Sequence, residues 1–147
     1  MPGAAFVNAD EIAKNRWPDE TVARVYDAAK AAARTRAKLI EQGRSFVAET
    51  VFSHESKLDL ICTAHDQGYT VVLVPEQLAV QRVQYRVSAD GHPVPEGKAR
   101  ERYHRLWPLV AAAIGIVNVA TVYDNSRTTG PEIVAQFAGG TQIGNLA

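Results

Sequence analysis

Apolar positions along the chain alternate between short continuous runs and longer stretches with helical spacing. The first run, Ala4-Ala5-Phe6-Val7, ends in Asn8-Ala9-Asp10 and predicts a short buried strand. Pro18-Asp19-Glu20 predicts a helix start, with a proline and acids in the first turn. Val22, Val25, Ala29, Ala32, Ala33 and Leu39 follow at roughly helical spacing, and Gly43 marks a stop. Residues 45–50 predict a second strand. A second helix is predicted over residues 55–66, with Leu58, Ile61 and Cys62 on one face and Gly68 beyond its end. Residues 69–74 are nearly all β-formers, the pattern of a strand buried on both faces. Pro75-Glu76 predicts the opening of a third helix that reaches about Val87.

Asp90-Gly91-His92-Pro93-Val94-Pro95 is a loop by turn chemistry. A fourth helix is predicted from near Glu96, bending or breaking at Pro108. Residues 116–123 form the last strong strand, closed by Asp124-Asn125-Ser126, and residues 132–143 suit a hairpin about Gly139-Gly140. Strands alternating with helices predict an α/β fold, a parallel sheet with helices on both faces. Ligands in such sheets sit beyond the carboxyl ends of the strands. That rule gathers Asp10, Glu49-Thr50, the residues after Val74 and Asp124-Asn125 along one edge.

At 147 residues the chain fits a single domain, 1–147. Hydrophobic residues at 46% and charged residues at 22% argue against disorder. Sixteen basic and sixteen acidic residues cancel, which gives no general case for a nucleic-acid or membrane partner. The lone Cys62 excludes an internal disulfide and disfavours a zinc site, and no metal site is predicted. The longest uncharged apolar run, residues 109–117, is too short to span a bilayer. No basic region followed by an apolar core opens the chain, so a cytoplasmic location is predicted.

Among the strand-end residues, Asp10 suits either a general base toward a hydroxyl or a magnesium ligand through water. It equally suits a helix cap or turn. Glu49-Thr50 shares this ambiguity, as a charged pair where a strand leaves the core. Asp124-Asn125-Ser126 alone reads as a turn. Residues 82–105 carry six basic side chains (Arg82, Arg86, Lys98, Arg100, Arg102 and Arg105) against three acids. Arginine matches phosphate oxygens with a planar fork, so this segment suits a lid over phosphate. The plain alternative is a solvated helix face. Arg82 and Arg86 are like charges one turn apart, which is unfavourable without a shared anion. Only Tyr85 and Tyr103 interleave with the cations, too few aromatics for a nucleic-acid patch. His54 and His65 read as structural or exposed residues, Trp17 and Trp107 as packing residues, and Cys62 as a core residue.

Several stretches resemble the zeta toxin family of P-loop kinases. They are Phe6-Val7-Asn8-Ala9-Asp10-Glu11-Ile12-Ala13 and Ser45-Phe46-Val47-Ala48-Glu49-Thr50-Val51-Phe52-Ser53, then Arg82-Val83 and Arg86-Val87. Gly91-His92-Pro93-Val94-Pro95-Glu96, Arg102-Tyr103 and Val122-Tyr123-Asp124-Asn125-Ser126 follow in family order, covering residues 4–130. The resemblance implies an ATP- or GTP-dependent, magnesium-assisted small-molecule kinase. Its acceptor would be a hydroxyl, in the best-known members that of UDP-N-acetylglucosamine, and its protein partner an antitoxin. By position, Asp10 resembles the catalytic base, Glu49 and Thr50 the substrate-holding residues, and Arg86 and Arg102 the lid arginines, with Arg100 a rival for the second. The family's Glu-Gly-Thr is Glu49-Thr50-Val51 here.

One departure stands against these matches. A P-loop kinase cradles its nucleotide in Gly-x-x-x-x-Gly-Lys-Ser/Thr, and no segment of the sequence has that spacing. The family places this loop upstream of the stretch beginning at Phe6. The expectation is a chain that lacks the family's first strand, phosphate loop and first helix. A second reading follows, a non-catalytic remnant or pseudokinase that binds a nucleotide sugar or an antitoxin-like partner.

Overall fold

The computed structural model describes residues 3–77, 96–124 and 129–143. The first and second expected strands are present as β1 (Ala5–Asn8) and β2 (Phe46–Glu49). They pair in parallel, from Ala5↔Phe46 to Asn8↔Glu49. Parallel neighbours need a crossover, and two helices supply it, α1 (Ala9–Arg16) and α2 (Val25–Glu41). Val7, Ala32 and Leu39 form a buried cluster, joined by Ala5, Ala9, Ile12 and Phe46. Burying a valine such as Val7 is worth roughly 1.5–3 kcal/mol, and this cluster holds the helices onto the strand pair. Phe6 and its register partner Val47 face the other way and are more than half exposed.

One helix is added to the expected elements and one expectation is corrected. Residues 9–16, assigned no element from the sequence, form the helix α1, whose apolar signal is thin because only Ala9, Ile12 and Ala13 carry it. The helix expected from Pro18 starts instead at Val25. The reason is local: Thr21 Oγ1 donates to the carbonyls of Trp17 and Pro18, both at 3.2 Å, so the side chain competes with helical backbone pairing. Gly43 does stop α2. It adopts φ +63°, its N–H donates to Ile40 O, and Arg44 N–H donates to Leu39 O, the Schellman arrangement that turns the chain into β2.

The chain divides into two compact units, Met1–Val51 and Phe52–Ala147. The second contains α3 (Ser56–Asp66), β3 (Val72–Leu73), β4 (Glu76–Gln77), α4 (Glu96–Ile114), β5 (Val119–Asp124), β6 (Glu132–Ala138) and β7 (Thr141–Gln142). Strand β5 pairs in parallel with β3 and β4, and antiparallel with β6. The architecture is mixed α/β, with parallel pairing in both sheets and an antiparallel extension through β6 and β7. The expected hairpin is that extension: Gly139 and Gly140 take φ of +53° and +77°, the left-handed pair a two-residue turn requires. The core of this unit gathers Ile61, Ala113, Val117 and Ala120, with Leu58, Leu73 and Phe137 packed against them.

Three expectations change here. Residues 69–74 are not a strand buried on both faces: only Val72–Leu73 is strand, and Val72 and Val74 are 60% and 54% exposed. Val71 and Leu73 turn to the core instead, the alternation of a half-buried strand. Pro75-Glu76 opens no helix. Glu76 and Gln77 pair with Tyr123 and Asp124 of β5, and sheet pairing overrides the local helix signal. The rest of that expected helix, residues 78–87, lies outside the described residues, as does the loop over residues 90–95. Pro108 does not break α4, which runs on to Ile114. Val110 and Ala113 beyond it are buried, and that packing outweighs the donor a proline lacks. Among the described residues no helix is long and apolar enough to cross a membrane.

Candidate active-site edge

The carboxyl ends of β1 and β2 meet at Asn8 and Glu49, which are register partners. Asn8 is the N-cap of α1, with an extended backbone at φ −133° and ψ 131°. Its Oδ1 accepts from Asp10 N–H at 2.7 Å and from Glu11 N–H at 3.2 Å. Two backbone N–H groups aimed at one side-chain atom require that atom to be oxygen. The other atom of the amide is therefore nitrogen, and Nδ2 donates to Glu49 Oε2 at 2.9 Å. One side chain thus ends a strand, starts a helix and grips a carboxylate on the neighbouring strand.

Asp10 and Glu11 stand in the first turn of α1, and Lys14 and Arg16 in its last. This is the charge order that the helix dipole favours. Glu11 lies 4.0 Å from Lys14. Asp10 and Thr50 are exposed. Among the described residues, the Asp10 carboxylate and the second oxygen of Glu49 have no hydrogen-bond partner. Two carboxylate acceptors therefore stand open at one strand edge, near a helix N-terminus.

The first unit thus brings Asp10, Glu49 and Thr50 to one edge, as the strand-end rule expects. Within the second unit, Gln77 and Asp124 are likewise partners at the ends of β4 and β5. The arginines are placed less fully. Arg86 lies outside the described residues, as do Arg82, Asn125 and Ser126. Arg100 and Arg102 fall on α4. A helix advances about 100° per residue, so these two positions stand roughly 200° apart around its axis. Arg105 folds back on its own helix, donating to Glu101 O at 3.4 Å.

The secondary candidates take structural roles. His54 Nδ1 accepts from Ser56 N–H at 3.1 Å, beside the start of α3. His65 lies 4.0 Å from its neighbour Asp66, and Cys62 is half-buried. Asn8 is the residue that sequence reasoning missed. An asparagine before Asp10-Glu11 is a recognisable cap signal, but its bond to Glu49 spans 41 positions and leaves no local trace.

The zeta toxin family model matches residues 5–130, most of the chain. The chain belongs to the zeta toxin family. No curated protein and no solved structure matches it. Zeta toxin membership makes it part of a kinase-like, nucleotide-dependent family, and the matched span contains the whole β1–β2 edge. Residues 1–147 contain no Gly-x-x-x-x-Gly-Lys-Ser/Thr, and among the described residues no three His, Cys, Asp or Glu side chains could together hold a metal ion.

Proposed function

We propose that residues 1–147 act as one kinase-type domain of the zeta toxin kind, transferring a phosphoryl group from ATP or GTP to a hydroxyl of a small molecule. The observation that carries this reading is the shared edge, where Asn8 and Glu49 are partners and Asp10 opens the adjoining helix. Asp10 takes the proton from the acceptor hydroxyl, the work of a general base. Glu49 offers its open oxygen, and Thr50 its hydroxyl, to neighbouring hydroxyls of the acceptor. Carboxylates accept and never donate when ionised, so this pair selects a hydroxyl-rich ligand such as a sugar. The resemblance to the family's best-known members supports UDP-N-acetylglucosamine as the acceptor in this reading. Arg86, together with Arg102 or Arg100, neutralises phosphate oxygens. A nucleotide with magnesium, when bound, supplies the phosphoryl group. An antitoxin and a cytoplasmic location complete the proposal.

Binding tests the acceptor side alone. Calorimetric titration with UDP-N-acetylglucosamine should show saturable binding, weakened by Asp10→Asn and by Glu49→Gln. Absence of binding would remove the sugar acceptor from the account. The second reading, a non-catalytic binding protein for a nucleotide sugar or an antitoxin, draws on the missing phosphate-loop motif within residues 1–147. Phosphotransfer from labelled ATP or GTP to the sugar separates the two: binding without transfer favours the pseudokinase.

A further inference from the structure

We propose that Asn8 is a positioning residue that sets the orientation of Glu49 for acceptor binding. The inference rests on the proposed acceptor site and deepens it. A strand-end glutamate is free to rotate about three side-chain bonds, and holding it in one orientation normally costs rotamer entropy. Asn8 offsets that cost with a charge-assisted bond from Nδ2 to Oε2 at 2.9 Å. The direction of this bond is not interchangeable. Oδ1 is committed to the Asp10 and Glu11 amides, so the amide cannot flip without losing the cap of α1. The start of α1, where Asp10 sits, and the Glu49 carboxylate are therefore referenced to one rigid group. Glu49 Oε2 is engaged, which leaves Oε1 to accept from the ligand. Asn8 acts through Glu49 and does not itself touch the acceptor.

The two roles of Asn8 can be separated by substitution. Serine, aspartate and asparagine cap helices about equally well. Asn8→Ser keeps an oxygen for the α1 amides and removes the donor to Glu49. Asn8→Asp keeps the cap and sets a second carboxylate against Glu49. Both should leave the melting temperature near that of the parent chain, while affinity for UDP-N-acetylglucosamine falls about tenfold for serine and further for aspartate. Glu49→Gln combined with Asn8→Ser should lose little beyond Glu49→Gln alone. Parent-like affinity in Asn8→Ser, with an unchanged melting temperature, would overturn the inference. A ligand-free measurement keeps the link testable if the sugar does not bind. The side-chain carboxyl carbon resonance of Glu49 should move in Asn8→Ser while the backbone resonances of α1 stay in place. A Glu49 resonance that does not move would also overturn it. Failure of the parent chain to bind the sugar, with the Glu49 resonance still moving, would sink the acceptor assignment and leave the positioning contact standing.

Discussion

Replacing Arg36 by methionine should stabilise the chain. Arg36 lies on the α2 stripe with Ala28, Ala32, Leu39 and Ile40, and is only 5% exposed. Ala32 and Leu39 on the same stripe belong to the cluster around Val7. Arg36 makes no hydrogen bond or ion pair with a described residue, and no described buried side-chain nitrogen is left unpaired, so its guanidinium keeps a narrow contact with solvent. Burial pushes its pKa below the usual arginine value. The group stays charged at any workable pH, so most of a cation is enclosed with no counter-charge among the described residues. Full burial of an ion costs several kcal/mol, and the remaining solvent contact relieves most of it. Methionine keeps an unbranched, adaptable stem and removes the charge. The expected gain is about 1 kcal/mol, a rise of roughly 2–5 °C in melting temperature for a chain of this size. Arg36→Ala should instead fall below the methionine variant by about 2 kcal/mol, because it also empties the space of the stem. The folded chain holds the Arg36 proton less tightly than the unfolded chain, so the penalty would ease only at strongly alkaline pH. From about pH 5 to about pH 9 the difference between variant and parent should stay flat. Thermal and urea unfolding followed by circular dichroism measure all of this. A methionine variant less stable than the parent by more than about 1 kcal/mol would refute the reasoning, because it would mean that Arg36 has a counter-charge in solution.

The remaining predictions concern the edge and the hairpin. Asp10→Asn should change stability by no more than about 0.5 kcal/mol, since the side chain is exposed, yet weaken acceptor binding in the calorimetric titration. A large loss of stability with intact binding would contradict the role given to it. Gly140→Ala should destabilise the β6–β7 turn by about 1 kcal/mol or more. Its φ is +77°, and a Cβ there would meet Gly115 Cα at 3.3 Å. Thermal unfolding checks it, and a neutral result would show that the turn relaxes freely.

The sequence made part of this fold legible for identifiable reasons. Helix α3 follows from the spacing of Leu58, Ile61 and Cys62 and the stop at Gly68, and β2 from a run of β-formers ending in an acid. The hairpin follows from two adjacent glycines. Elements with weak local signals escaped. Helix α1 is eight residues long and mostly polar, held by its cap and its docking on α2. Strand β4 is two residues that pair with β5 against their own helix signal. The site divides the same way. Asp10 and Glu49 are readable because acids at strand ends are visible in the chain itself. Asn8 is not, because its partner lies 41 residues away and only the parallel register brings them together.

The most direct test is a map of where UDP-N-acetylglucosamine binds, from backbone and side-chain chemical shifts of the labelled full chain. The account predicts saturable shifts centred on residues 8–11 and 49–50, lost in Glu49→Gln. Saturable binding whose shifts leave Asn8, Asp10 and Glu49 unmoved, or no binding at all, would contradict it.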